Sequence, residues 1–318
     1  MTNAGRQIAM KEPRLYEEFR LAGSSKERLN EVAVVATAYD SVLCADFTYV
    51  STPITSGMAL YRAMDEAGVT DPEVMRRDKD RFREQVLLPN IAAADEVARH
   101  MLTFGGAVIA PAAFEARTLQ WGQDEYMGLW LDTIERKATR LALVDGWEYS
   151  NGGAEEYLQA LLMQAGRRDR TDIDIVDARG RCLPHLEAIA LMANSVRSLA
   201  RRGFHPTTLA TVLHRVMAIH GMVADEQRYG VMRDTSGRAH VRLSRHYADA
   251  TPSRSEYLDA IQDMRATHEI VAPFLSKADL AMTSSAQMAP GLVRRDGRTE
   301  LAETPAMLHR ADESPIVN

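Results

Sequence analysis

The chain has 318 residues, 38 Lys and Arg against 44 Asp and Glu, and a formal net charge of −6. At 46% hydrophobic and 26% charged it holds enough apolar material for one large domain or two ordinary ones, and its acidic balance excludes the broad basic surface that grips a nucleic-acid polymer. Two cysteines, Cys44 and Cys182, are too few for a disulfide framework and point to a reducing cytoplasm, while no run of about 18 apolar residues is present to span a membrane.

Residues 1–30 are polar, with Leu15, Phe19 and Leu21 as the few anchors of an expected helical arm, and Arg6, Lys11, Glu12 and Arg14 break up any secretion signal. The apolar run 32–39 reads equally as a strand or a short buried helix, because a run of that length has no diagnostic period. Residues 47–51 are rich in strand formers and lead into a hydroxyl-rich turn, Thr52-Pro53-Ile54-Thr55-Ser56-Gly57. Residues 58–66 and 73–88 read as helices. Asn90 reads as the cap of a further helix to 102, ending at Gly105-Gly106, and 107–110 as a short buried strand stopped by Pro111. Helix 126–138, strand 141–144, helix 154–165 and strand 173–176 follow. Strands alternating with helices predict an α/β protein with a doubly wound parallel sheet over 45–177, behind an N-terminal arm at 1–44. Beyond 177 the pattern turns helical at 184–202, 207–223 and 253–274. A hairpin is expected where 229–233 and 239–243 flank Asp234-Thr235-Ser236-Gly237. A mostly helical C-terminal extension thus occupies 178–284, and a Ser-, Pro- and Gly-rich tail, expected to be mobile, occupies 285–318.

One stretch is richer in chemistry than the rest: Leu141-Ala142-Leu143-Val144-Asp145-Gly146-Trp147-Glu148-Tyr149-Ser150-Asn151-Gly152-Gly153-Ala154-Glu155-Glu156. A short apolar run, a turn with a hydroxyl and two glycines, and an acidic helix start make a strand–loop–helix unit. Ser150, free backbone N–H groups and a carboxylate then meet at the carboxyl end of a strand, where open α/β sheets bind ligands. Helix N-termini favour anions. An anion holder beside a carboxylate suits chemistry on a nucleotide or sugar phosphate.

Taken with Tyr49-Val50-Ser51-Thr52-Pro53-Ile54-Thr55-Ser56-Gly57 and Asp132, the segment Gly146-Trp147-Glu148-Tyr149-Ser150-Asn151-Gly152 resembles the nucleoside 2-deoxyribosyltransferase superfamily over about residues 45–170. The resemblance implies a flavodoxin-like fold and cleavage of an N-glycosidic bond by a glutamate nucleophile. In that family the glutamate follows, by six positions, the loop residue that touches the 5′ end of the sugar. Counting back from Glu156 gives Ser150, so Glu156 is the expected nucleophile and Glu155 the runner-up. The deoxyribosyltransferases carry aspartate where Ser150 stands, and their nucleoside 5′-monophosphate glycosidase relatives carry serine, whose hydroxyl can donate to a phosphate. The implied reaction is hydrolysis of a nucleoside 5′-monophosphate to base and (deoxy)ribose 5-phosphate, with no metal and no cofactor. Asp132 is expected to assist departure of the base and Tyr49 to orient Glu156. Ser150, Gly152, Gly153, Ser51, Thr55, Ser56 and Gly57 are expected along the sugar-phosphate side, and Trp121 or Trp130 against the base. Relatives often complete each active site with a neighbouring subunit, so a homo-oligomer such as a dimer is implied. Arg140 stands where family members often carry aspartate, and 58–89 looks like an insertion.

Each of these residues also has a purely structural reading. Acidic side chains complement the dipole at a helix start whether or not they react, Ser150 fits a turn or cap, and Asp132 fits a solvated helix carboxylate. Tyr49, Trp121, Trp130 and Trp147 fit packing. His214 and His220 are six apart rather than four, a poor metal pair even with Asp225 and Glu226 nearby, and Met192, Met217, Met222 and Met264 suit helix packing. Two other functions fit the same loop: a (deoxy)ribosyltransferase that exchanges bases, and a non-catalytic nucleotide-binding sensor or assembly module with the helical half as its output.

Overall fold

The computed structural model describes residues 26–43, 46–114, 121–165 and 173–229, with shorter pieces at 231–233, 239–241, 267, 269–276, 292–295 and 298–301. The chain divides into two compact units, Met1–Phe274 and Leu275–Asn318. In the first, α1 (Lys26–Val42) precedes β1 (Phe47–Ser51), α2 (Gly57–Ala67), α3 (Pro72–Arg77), α4 (Lys79–Phe82) and α5 (Leu88–Leu102). Next come β2 (Ala107–Ile109), α6 (Gln123–Lys137), β3 (Ala138–Leu143), α7 (Asn151–Gln164) and β4 (Asp174–Asp177). Helices α8 (His185–Arg201) and α9 (Thr207–Tyr229) lead to an antiparallel pair, β5 (Val231–Arg233) and β6 (Ala239–Val241), where a hairpin is expected. The second unit holds another antiparallel pair, β7 (Leu292–Arg295) and β8 (Arg298–Leu301). The expected arm at 1–25, Cys44, Met264, the side chains of His220, Met222, Asp225 and Glu226, and most of the expected helix 253–274 and of the tail lie outside the described residues.

Strands β1 to β4 form an all-parallel sheet in the order β2-β1-β3-β4, an α/β arrangement compatible with a flavodoxin-like one. β1 is central, with Thr48 opposite Val108 on one side and Tyr49 opposite Leu141 on the other. All five of its residues are buried, as expected of a parallel strand with both faces covered. Alternation along the strand then sorts the side chains. Val50 packs with Ala142, Val144, Val176 and, from α5, Val97 and Met101. Tyr49 and Ser51 point the other way, towards α6 and α7. The strand order reverses between β1 and β3, and their carboxyl ends open the crevice where such sheets take ligands.

The ambiguous run 32–39 is helical: α1 packs against α6 and buries Val32 and Ala36. The expectation fails between 73 and 102. Instead of one helix to 88 and a second capped by Asn90, the helical backbone runs on from α4 into α5 through a π-turn at Arg83–Leu87. Pro89 has no N–H, and its ring crowds the carbonyl four residues back; a widened turn just before it relieves both problems. Asn90 is therefore buried within a helix, and its Nδ2 donates to the carbonyls of Ile54 and Ser56 at 3.0 and 3.1 Å. Helices α8 and α9 belong to the same unit as the sheet. Ser195 Oγ donates to the Glu148 carbonyl at 2.7 Å, and Arg202 donates to the Tyr61 carbonyl at 2.9 Å while pairing with Asp65. Among the described residues no helix is long and apolar enough to cross a membrane.

Candidate active site

Two residues apart on β1, Tyr49 and Ser51 share one face of the sheet, and both reach the same carboxylate. Tyr49 OH donates to Glu156 Oε1 at 2.7 Å, and Ser51 Oγ donates to Oε2 at 2.5 Å. Glu156 stands in the second turn of α7, six residues after the N-cap Ser150, whose Oγ accepts the Gly153 N–H at 3.2 Å. Tyr49 and Ser51 are wholly buried and Glu156 is 5% exposed. Burial pushes the Glu156 carboxyl up from its ordinary 4.5 to about 7, against the lowering effect of the Ser51 and Tyr49 hydrogen bonds, and the charge of Glu155 adds to the rise. Burial, then the Glu156 charge, lifts the Tyr49 phenol well above its ordinary value, so it stays a donor. Each carboxylate oxygen thus has one donor fixed upon it and lone pairs left over. Such a group, poised near neutrality inside a cavity, marks a candidate catalytic carboxylate.

The cavity that Glu156 lines has a volume of about 280 Å³, close to the lower bound for small-molecule sites. Hydroxyls come from Thr52, Thr55, Ser56 and Ser150, and an apolar set from Leu87, Ile91, Pro111, Ala112, Met127, Tyr126, Trp121 and Trp130. Ser56 Oγ and Ser150 Oγ are 2.8 Å apart, so the turn after β1 and the start of α7 are joined at the cavity wall. The Asn90 amide fixes that same turn from behind. Trp130 packs at a tilt on Tyr49, with centroids 6.3 Å apart. Trp121 sits edge-on to Tyr126 at 5.3 Å, and its Nε1 donates to Glu31 of α1 at 3.2 Å. The adjoining Gly122 N–H donates to Glu125 Oε2 at 2.9 Å, and Glu125 faces Arg28 of α1. The aromatic wall is therefore held from outside by α1.

Of the residues singled out in the sequence, Glu156, Thr55, Ser56, Ser150, Gly152, Trp121 and Trp130 line this cavity, with Tyr49 and Ser51 directly behind the carboxylate. Ser51 holds Glu156 and is not among the residues that line the cavity. Glu156, and not its neighbour Glu155, faces the cavity. Asp132 is elsewhere. It accepts from Arg136 Nε at 2.8 Å and borders a separate, smaller pocket with Tyr39, Asp40 and Lys137; burial raises its pKa while Arg136 opposes the rise. Gly57 and Gly153 act through shape. Gly57 has φ +77°, and a Cβ there would lie 2.6 Å from Pro53 Cβ, whereas a Cβ on Gly153 would lie 2.9 Å from the Trp147 carbonyl oxygen. Arg140 faces Asp174 across the β3–β4 pair at 3.7 Å, and Trp147 packs on Tyr157 at 5.0 Å. The described residues offer no group of three or more His, Cys, Asp or Glu able to hold a metal, and His214 is buried within α9. Sequence reading missed Leu87, Ile91 and Gln123 in the lining and Asn90 behind it.

Models of protein families, curated proteins and solved structures give no match to this chain.

Proposed function

We propose that this protein is an N-glycosidase of nucleoside 5′-monophosphates, with Glu156 as the nucleophile. The supporting observation is a buried carboxylate, oriented by Tyr49 and Ser51, that faces a nucleoside-sized cavity lined by hydroxyls and aromatic rings. The sheet is then flavodoxin-like, and α8 and α9 form a helical extension, of which α8 braces the loop that precedes α7.

In this reading the ionised Glu156 carboxylate adds to C1′ as the C1′–N bond breaks. The electron pair leaves with the base, which takes its proton from water, because no second carboxyl lines the cavity among the described residues. A glycosyl ester on Glu156 results. Water then adds at C1′, the bond to Glu156 breaks, and the carboxylate is regenerated as a proton is lost to solvent. The sum is nucleotide plus water giving base plus (deoxy)ribose 5-phosphate, with retention at C1′. Trp130 and Trp121 suit stacking on the base, and Ser56 and Ser150 suit the far end of the sugar.

The test is a panel of nucleosides and their 5′-mono- and diphosphates, scored by chromatography for released base. Release from a monophosphate, lost in Glu156→Gln, is the expected result. A nucleotide with its base exchanged when a second base is added would reassign the chain as a transferase. Tight binding without release, unaffected by Glu156→Ala, would overturn the enzymatic reading.

A further inference from the structure

Gln123 opens α6 and supplies the one side-chain carboxamide among the described residues that line the cavity. Its Nε2 lies 3.8 Å from the point that a Cβ on Gly152 would occupy, and Ser150 Oγ lies 3.8 Å from the same point. Ser150 Oγ is in turn 2.8 Å from Ser56 Oγ. The Gln123 amide and the Ser150 hydroxyl, the latter paired with Ser56, therefore border the space beside Gly152, together with Met127 Sδ, which lies 3.2 Å from the same point. No Lys, Arg or His lines the cavity among the described residues, and Glu156 is its one acid there. A phosphate held in this corner would meet no cation: its hydrogen-bond donors there are neutral, and the Met127 thioether is apolar.

We propose that Gln123 is the specificity-determining residue for the 5′ end of the substrate. Its N–H₂ donates to an oxygen of the 5′-phosphate beside Ser150 and Ser56; turned about χ3, its carbonyl accepts from a 5′-hydroxyl instead. The inference rests on the glycosidase reading of the same cavity and deepens it. Preference for a monophosphate over the free nucleoside is set by a neutral amide, so it is modest and nearly independent of salt. A charge placed at 123 redirects it. A carboxylate there repels phosphate and accepts from a hydroxyl, and an ammonium attracts phosphate in a screened, salt-dependent way. Gln123 is exposed at the first turn of α6, so these changes leave the core intact.

The experiment compares kcat/KM for a nucleoside 5′-monophosphate with that for the nucleoside of the same base, in wild type, Gln123→Glu and Gln123→Lys. The ratio should fall at least tenfold in Gln123→Glu and rise at least tenfold in Gln123→Lys, the rise shrinking as salt is added. Ratios within twofold of wild type in both variants overturn the assignment. Should the wild type release no base at all, the glycosidase reading fails by itself. The role of Gln123 is then decided by thermal shifts with ribose 5-phosphate against ribose. Stabilisation by the phosphate that is lost in Gln123→Glu and enlarged in Gln123→Lys upholds it; equal shifts in all three proteins, or none, overturn it.

Discussion

Replacing Glu156 by glutamine keeps the shape of the side chain and removes its charge, so it isolates what burying that charge costs the fold. The folded-state carboxyl titrates at about 7 against an ordinary 4.5. The sign follows from proton binding: between pH 4.5 and 7 the folded protein holds a proton that the unfolded chain has released, so stability falls as pH rises through that window. Below it both forms are protonated and nothing is lost. Above it the deficit is complete, and a rise from 4.5 to about 7 corresponds to about 3 kcal/mol. The amide carries no such deficit, and Ser51 can rotate its hydroxyl to accept from it. Glu156→Gln should therefore match the wild type near pH 4.5 and exceed it above pH 7 by roughly 6–12 °C in Tm for a domain of this size. Paired melts from pH 4.5 to 8, read as the difference between the two proteins, cancel every other titrating group. A gap that stays constant across that range, or a variant less stable than wild type at pH 8, would refute the argument that a buried charge is held here against the interest of the fold.

In the active protein the same group sets an acid limb: kcat/KM should drop tenfold per pH unit below about 7, since only the ionised carboxylate attacks. Ser51→Ala removes a bond that favours the ionised form and should move that limb up by about one to two pH units, the equivalent of a charge-assisted hydrogen bond; an unmoved midpoint would mean that Ser51 does not hold Glu156. Asp132→Asn should change kcat/KM by less than about threefold, because a general acid, worth roughly a hundredfold or more, would have to sit in the cavity. Glu31→Ala should raise KM several-fold at unchanged kcat and expose Trp121 to acrylamide quenching, with Glu31→Gln restoring both, as expected of a residue that positions the aromatic wall. Gly57→Ala should cost roughly 2–4 kcal/mol by chemical denaturation, from its left-handed φ and the clash with Pro53.

The four parallel strands were legible because each is a short apolar run closed by a turn, and such runs have few other uses in an alternating pattern. Glu156 was singled out over Glu155 through the resemblance, which implies a glutamate six positions after the residue at 150, and Glu156 is the one of the two that lines the cavity. What misled was local chemistry overruled by tertiary contact. Pro89-Asn90 reads as a break and a cap, yet a π-turn absorbs the proline and the asparagine amide serves two carbonyls in the turn after β1. Asp132 carried its own warning in Arg136 four residues on, the spacing of a helical ion pair, which now occupies it. Ser51 gave a partial signal: its place two residues after Tyr49 fixes the face, but which helix covers that face depends on the sheet order. Leu87, Ile91 and Gln123 gave none, because they reach the cavity from helices whose placement only the assembled sheet determines.

The central claim is a covalent bond between Glu156 and C1′, and the most direct measurement is mass spectrometry of protein quenched after incubation with a 2′-deoxy-2′-fluoro nucleoside 5′-monophosphate, whose fluorine slows both steps. The account predicts one added fluorosugar phosphate on the peptide spanning residues 141–167, localised to Glu156 and absent in Glu156→Gln. Base released with that peptide unmodified, or with the adduct on another residue, would contradict it.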